Sequence, residues 1–188
     1  MSDPRKRVIR DVARKIGTRP EWLDALINFE TAGTYNPRIK NPHSSARGLI
    51  QFIDSTARSE FGVSDSLALV NKYPDFESQM YNAVLPYLKK YAPYPTKQKL
   101  YMAVFYPKYM NVAPDTPFPE SVRKVNRGIS TPQDYINFVD RRVKNPLLPK
   151  SLLPILLILG IGGVSFYLWK TANPATTRTK FSGRSKEF

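Results

Sequence analysis

Apolar residues recur at the three- and four-residue spacing of helices from one end of residues 3–143 to the other, and no alternating strand pattern persists. That period is the tightest constraint on the fold, because it calls for a mainly α domain whose helices bury one stripe each. Hydrophobic residues make up 41% of the 188 residues, enough for a packed core. The chain has no cysteine, which removes disulfide frameworks, thiolate nucleophiles and cysteine zinc sites together. Its single histidine, His43, cannot form a multi-histidine metal site, and neither HExxH nor DxDxDG occurs. No GxSxG elbow supports a serine–histidine triad. The reading therefore calls for neither metal nor cofactor.

Residues 3–16 read as a short amphipathic helix. Asp3 is placed to cap it and Pro4 suits its first turn. Val8, Ile9, Val12 and Ile16 share one face, with Arg5, Lys6, Arg7, Arg10, Arg14 and Lys15 on the rest. The expectation is a surface helix docked by its apolar stripe, not a secretory signal, since no apolar h-region follows the charges. A second helix starts at Thr18 or Arg19, with Pro20 and Glu21 in its first turn. Trp22, Leu26, Phe29 and Gly33 share a face, and Leu23, Ile27 and Glu30 lie alongside.

Glu30 thus falls at the edge of a buried stripe and near a helix C-terminus. Desolvation and the negative end of the helix dipole both disfavour a carboxylate there, so its pKa should rise. A general acid at neutral pH needs that rise. The competing reading is a solvated glutamate at a helix end, and spacing alone weighs the two evenly. After Gly33, Asn36-Pro37 and Asn41-Pro42 mark a long polar loop of the kind that shapes binding sites. Apolar residues return at Leu49, Ile50, Phe52 and Ile53, with Gln51 the one amide among them. Buried there, Gln51 must find hydrogen-bond partners or face a polar ligand.

Three short segments, Glu30-Thr31, Ser45-Ala46-Arg47-Gly48-Leu49-Ile50-Gln51-Phe52 and Ser55-Thr56-Ala57, occur in order. Together they resemble the lytic transglycosylase domain of the soluble-lytic-transglycosylase type. That family carries Glu-Ser, then Gly-Leu-Met-Gln about twenty residues on, then Thr-Ala; here Thr31 and Ile50 replace the serine and methionine. The Ala-Arg-Gly-Leu-Ile-Gln-Phe variant is most similar to bacteriophage members. The resemblance implies a lysozyme-like helical fold and cleavage of the β-1,4 bond between N-acetylmuramic acid and N-acetylglucosamine. In that reaction Glu30 is the general acid, and a 1,6-anhydro ring closes on the muramic acid. The match implies that Ser45, Gln51 and Tyr106 orient Glu30 or hold the sugar amides, and that Asn41, Arg47 and Phe52 line the cleft. The family's third motif, Ala-Tyr-Asn-Ala-Gly, aligns on Ala103-Val104 with Phe105 in the tyrosine position. Tyr106 is then the first choice for a hydroxyl supporting Glu30 and Tyr101 the second.

Further along, residues 61–69 form a weak helical pattern with Ser64 as a cap, and residues 75–91 a stronger one bent at Pro86. Thr96 caps a largely buried helix over 97–106, while the proline-rich residues 111–131 read as an irregular flap. Thr131-Pro132-Gln133-Asp134 starts a last helix that ends in Arg141-Arg142-Val143-Lys144. Composition then changes. Residues 152–169 carry no charge, and extension back to Leu147 reaches the length of a bilayer core, with Tyr167 and Trp169 at one end. The organisation expected is a catalytic domain at 1–146, one transmembrane helix at 147–169 and a basic, disordered tail at 170–188.

The net charge of +14 divides into +9 over residues 1–149, +1 at Lys150 and +4 in the tail. Such a chain is drawn to anionic lipid, nucleic acid or an acidic cell wall. No nucleic-acid module is present. The resemblance implies peptidoglycan strands as the partner, the apolar segment at 147–169 adds the membrane, and other virion membrane or capsid proteins stand behind them. The expected location is a single-pass membrane protein of a virion or of a host inner membrane, its domain facing the wall. There it would open the wall locally during phage entry or lysis. Two rivals remain: a lysozyme-type hydrolase with Asp54 as second carboxylate, and an inactive glycan-binding structural protein of a virion or envelope.

Overall fold

The structure is a computed structural model, and it describes residues 3–144. The membrane span expected at 147–169 and the tail at 170–188 lie outside the described residues. Among the described residues the chain is mainly helical, with only isolated bridges in place of strands, and no helix is long and apolar enough to cross a membrane.

Helix α1 (Pro4–Lys15) starts as its sequence dictates: the Asp3 carboxylate accepts the Arg5 N–H and Pro4 occupies the first turn. Val8, Ile9, Val12, Ala13 and Ile16 are buried, and the six cations of the helix are exposed. Helix α2 (Pro20–Glu30) packs on α1. Its buried stripe is Leu23, Leu26, Ile27 and Glu30, whereas Trp22 and Phe29 are only half-buried. Glu30 is therefore within the stripe and not at its edge, one step further inside than the spacing suggested.

The weak pattern at 61–69 resolves into two helices, α3 (Asp54–Phe61) and α4 (Ser66–Lys72). Gly62, at a left-handed φ of 63°, closes α3, and the Asp65 carboxylate, not Ser64, accepts the Ala68 N–H to open α4. The run expected over 75–91 is α5 (Phe76–Gln79), a π turn (Met80–Val84) and α6 (Leu85–Lys89). Pro86 has no N–H to continue the α ladder, and the chain meets it with a wider turn in which Leu85 N–H reaches the Met80 carbonyl. Asp75 and Ser78 cap the run reciprocally.

Helix α7 (Lys97–Phe105) begins at Thr96, whose hydroxyl accepts the Lys99 N–H, and buries every residue from 100 to 105. A 3-10 turn (Pro107–Tyr109) and a short helix α8 (Glu120–Val125) follow, then α9 (Pro132–Lys144). Helices α2, α7 and α9 pack against one another and form the wall into which Glu30 points. Asp134 and Thr131 cap α9 as the motif predicts: the Asp134 carboxylate accepts the Thr131 N–H at 3.0 Å, and the Thr131 hydroxyl accepts the Asp134 N–H.

Residues 111–131 are largely irregular, as expected, apart from α8, but they are pinned to the core. Phe118, Val122 and Ile129 are buried, and Phe118 N–H donates to the Ser130 carbonyl at 2.8 Å. The Phe118 ring meets Phe105 at 5.3 Å and Tyr109 at 4.8 Å. Phe118, with Val122 and Ile129, thus anchors a proline-rich segment that lacks long periodic structure. Phe118→Ala should lower the unfolding free energy by about 3–5 kcal/mol in urea titrations, as for a core aromatic. A loss within about 0.5 kcal/mol would return the segment to the status of a loose flap.

Candidate active site

The centre of the site is the Glu30 carboxyl, at the last residue of α2 and only 6% exposed. Its one protein hydrogen bond among the described residues comes from the Tyr135 hydroxyl of α9, which donates to Oε1 at 3.3 Å. Tyr135 is itself clamped by aromatic rings. Phe105 stacks on it at 4.4 Å, while Phe29 at 6.0 Å and Tyr101 at 6.3 Å meet it edge-on. No ion pair to Glu30 occurs among the described residues.

Burial pushes the Glu30 pKa from its ordinary 4.5 up to about 7, and the Tyr135 hydrogen bond pulls weakly the other way. Tyr135 is held well above its usual pKa, first by burial and then by the Glu30 charge, so it remains a donor at neutral pH. The result is a protonatable carboxyl with a fixed hydroxyl beside it.

Thr31 ends α2. Its hydroxyl donates to the Ile27 carbonyl at 2.7 Å and accepts the Tyr35 N–H at 3.0 Å. Ala32, Gly33 and Tyr35 all take positive φ, and the Tyr35 hydroxyl reaches back to Asp24 of α2 at 2.8 Å. The loop is thereby folded back beside the helix that carries Glu30.

Residues 40–52 close on themselves through bridges between Lys40 and Arg47 and between Arg47 and Phe52. Within them, the Ser45 hydroxyl accepts the Asp54 N–H at 3.2 Å and so caps α3, while its carbonyl accepts from the Ser66 hydroxyl. The Asn41 side chain accepts the His43 N–H at 2.9 Å. Both polar groups thus shape the loop. Arg47 is half-buried and makes its bridges through backbone. Phe52 meets Phe61 at 5.2 Å and Tyr87 at 5.5 Å, both edge-on. Gln51 stands at a φ of 54° and donates its side-chain amide to the Gly48 carbonyl at 2.9 Å. Gln51 and Phe52 line a small cavity of about 20 Å³ with Ile50, Thr56, Tyr87 and Val104. That is room for about one water-sized group, and Glu30 is not among its lining residues.

The structure departs from the sequence reading in the hydroxyl that supports Glu30. Tyr106 packs on Tyr109 at 5.0 Å and on Phe118 at 6.0 Å, with no bond to Glu30. The Tyr101 hydroxyl is buried without a hydrogen-bond partner among the described residues. Helix α7 turns Phe105 toward the site, and the hydroxyl comes instead from α9, 105 residues after Glu30. A signal for Tyr135 was present: a tyrosine at a core position of an amphipathic helix needs a hidden partner for its hydroxyl. Asp54, the second carboxylate considered for hydrolysis, accepts the Ser66 N–H at 3.0 Å and ties α3 to α4. Among the described residues no three acidic, histidine or cysteine side chains gather as a metal site. No family model, curated protein or solved structure matches the chain.

The sign of the Glu30 shift predicts a pH-dependent stability. The carboxyl ionises near 4.5 unfolded and near 7 folded, so the folded state holds the extra proton between those values. Stability should fall as pH rises through that window and level off above it, by ~3 kcal/mol in all. Glu30→Gln should abolish this contribution, visible as a converging difference between variant and wild type in urea unfolding at pH 5 and a gain for the variant at pH 8.

Proposed function

We propose that the protein is a peptidoglycan lytic transglycosylase in which one carboxyl, Glu30, acts first as acid and then as base. The observation that carries this reading is the burial of Glu30 against aromatic side chains, which brings its pKa to about 7 with a single tyrosine donor in contact. A general acid works best when its pKa lies near the working pH. The sequence segments around Glu30, Gly48-Leu49-Ile50-Gln51 and Thr56-Ala57 support the same reading and, with it, a lysozyme-like arrangement of the helices.

In the first step the Glu30 proton passes to the bridging oxygen as its bond to C1 of N-acetylmuramic acid breaks. Positive character develops at C1 while Glu30 becomes ionised. The Tyr135 hydrogen bond favours that ionised form and holds the carboxylate in place. In the second step the 6-hydroxyl of the same sugar attacks C1, and its proton goes to Glu30. A 1,6-anhydro ring closes, no water is consumed and Glu30 is again protonated. Hydrolysis would need water delivered by a base, and the engagement of Asp54 with Ser66 favours the one-carboxyl route. The basic chain suits an anionic wall, and an anchor at 147–169 would hold the domain near a membrane for local wall opening in phage entry or lysis.

Zymography on purified cell walls is the direct test. Glu30→Gln should reduce clearing by about 10²–10⁴-fold, the range for loss of a general acid, while wall binding persists. Clearing by the variant equal to that of wild type would eliminate the mechanism. Mass spectrometry of wild-type products should show anhydro ends, whereas reducing ends alone would make the enzyme a hydrolase. Tyr135→Phe removes the bond that lowers the Glu30 pKa, so the alkaline limb of the rate profile should move to higher pH. An unmoved limb would detach Tyr135 from the chemistry.

A further inference from the structure

We infer that Gln79 is a positioning residue for the glycan-contacting loop at residues 48–52; the inference rests on the lytic transglycosylase reading. Gln79 is fully buried, on the last turn of α5 where the π turn begins. Its oxygen accepts the Leu49 N–H at 2.6 Å. Its nitrogen donates to the Pro37 carbonyl at 2.9 Å and to the Tyr73 carbonyl at 3.2 Å. Both donors and the acceptor of the amide are thus used, on three chain segments at once.

The contact with the loop is closer than these bonds alone. Gly48 takes a φ of +84°, and a Cβ there would lie 2.5 Å from the Gln79 oxygen. Only glycine leaves room for the amide head. The Gly48 carbonyl, fixed by this approach, accepts both the Gln51 N–H at 3.2 Å and the Gln51 side-chain amide at 2.9 Å. Those two bonds hold Gln51 in a left-handed conformation that a non-glycine residue rarely adopts. Gln79 therefore acts on the cavity beside Phe52 and Tyr87 through Gly48 and Gln51, without lining it. An apolar side chain would fill this core position at less risk, since a buried amide is costly unless every group is bonded. What the amide adds is one defined position for the loop between α2 and α3.

The test compares full-length wild type, Gln79→Met and Gln79→Glu on soluble peptidoglycan fragments. Gln79→Met keeps the volume and loses all three bonds; KM should rise about tenfold, the size of one lost buried hydrogen-bonding interaction, with kcat within about twofold. Gln79→Glu, kept protonated by the same burial, still accepts the Leu49 N–H and donates to one of the two carbonyls, so its KM should lie between. The alkaline limb set by Glu30 should not move in either. Amide hydrogen exchange should quicken at Gln51 in both variants and at Leu49 most in Gln79→Met, while core amides of α7 stay protected. Unchanged KM in a folded variant overturns the inference, as does a loss of kcat with a shifted limb, which marks general loosening of the domain. If Gln79→Met does not fold, Gln79→Glu alone decides by the same two readouts. Wild type that fails to act on any wall fragment overturns the enzymatic reading itself, a result distinct from active wild type with indifferent Gln79 variants.

Discussion

The proposed chemistry depends on a carboxyl placed where a carboxylate is poorly tolerated. Glu30 takes a position in the stripe of α2 that Leu23, Leu26 and Ile27 otherwise fill. Its partner on α9 is the Tyr135 hydroxyl, whose ring is packed by Phe29 and Phe105, and no cation pairs with Glu30 among the described residues. A surface glutamate would be better solvated, and an apolar residue would pack there without desolvation cost. The position is explained by the protonation state it produces. Helix packing and chemistry are thus linked at one atom pair: the α2–α9 contact that closes the core also brings the Tyr135 hydroxyl to Oε1.

The loop that follows is the second constraint. Between α2 and α3 the chain makes no helix, yet Ala32, Tyr35 and Gln51 all adopt positive φ, which side chains resist. Each is held by bonds from rigid elements. Tyr35 is fixed to Asp24 and Asn28 of α2, and Gln51 is fixed through Gly48 to the end of α5. Strain of this sort persists only when the surroundings over-determine it. The loop is accordingly a preformed shape, and the residues that first suggested glycan binding divide into two kinds. Ser45 and Asn41 build the loop with their polar groups, whereas Gln51 and Phe52 present surface to a cavity.

Much of the helical frame was legible because its signals are local. Asp3 with Pro4, Thr96, and Thr131 with Asp134 cap the helices their positions announce, and the buried stripe of α1 is the one its spacing gives. Glu30 was legible as a residue placed to be desolvated, since its helix face and its distance from the helix end are both local facts. Its partner was not. Tyr135 lies on the apolar stripe of a different helix, and no local rule brings residues 30 and 135 together. The proline-rich segment after α7 was half legible for the opposite reason: its turn formers are conspicuous, while Phe118, Val122 and Ile129, which attach it to the core, are scattered among polar residues. Gln79 hid in plain view, as one polar residue in a helix whose apolar positions carried the pattern.

The value of the Glu30 pKa has a consequence for the two-step reaction proposed here. A carboxyl at 4.5 would be ionised before it could act as an acid and would be only a weak base afterwards, whereas one far above 7 would give its proton reluctantly. Near 7 the two steps are balanced, because the group that must donate and then accept is held at equal cost in either form at neutral pH. Tyr135 fits the same logic. The burial that raises Glu30 also raises Tyr135 well above its usual value, so the tyrosine does not compete as a proton donor to substrate and serves only as a hydrogen-bond donor to the carboxylate. One apolar environment thus assigns two oxygen acids to different tasks, and the difference arises from their starting pKa values and from the single bond between them.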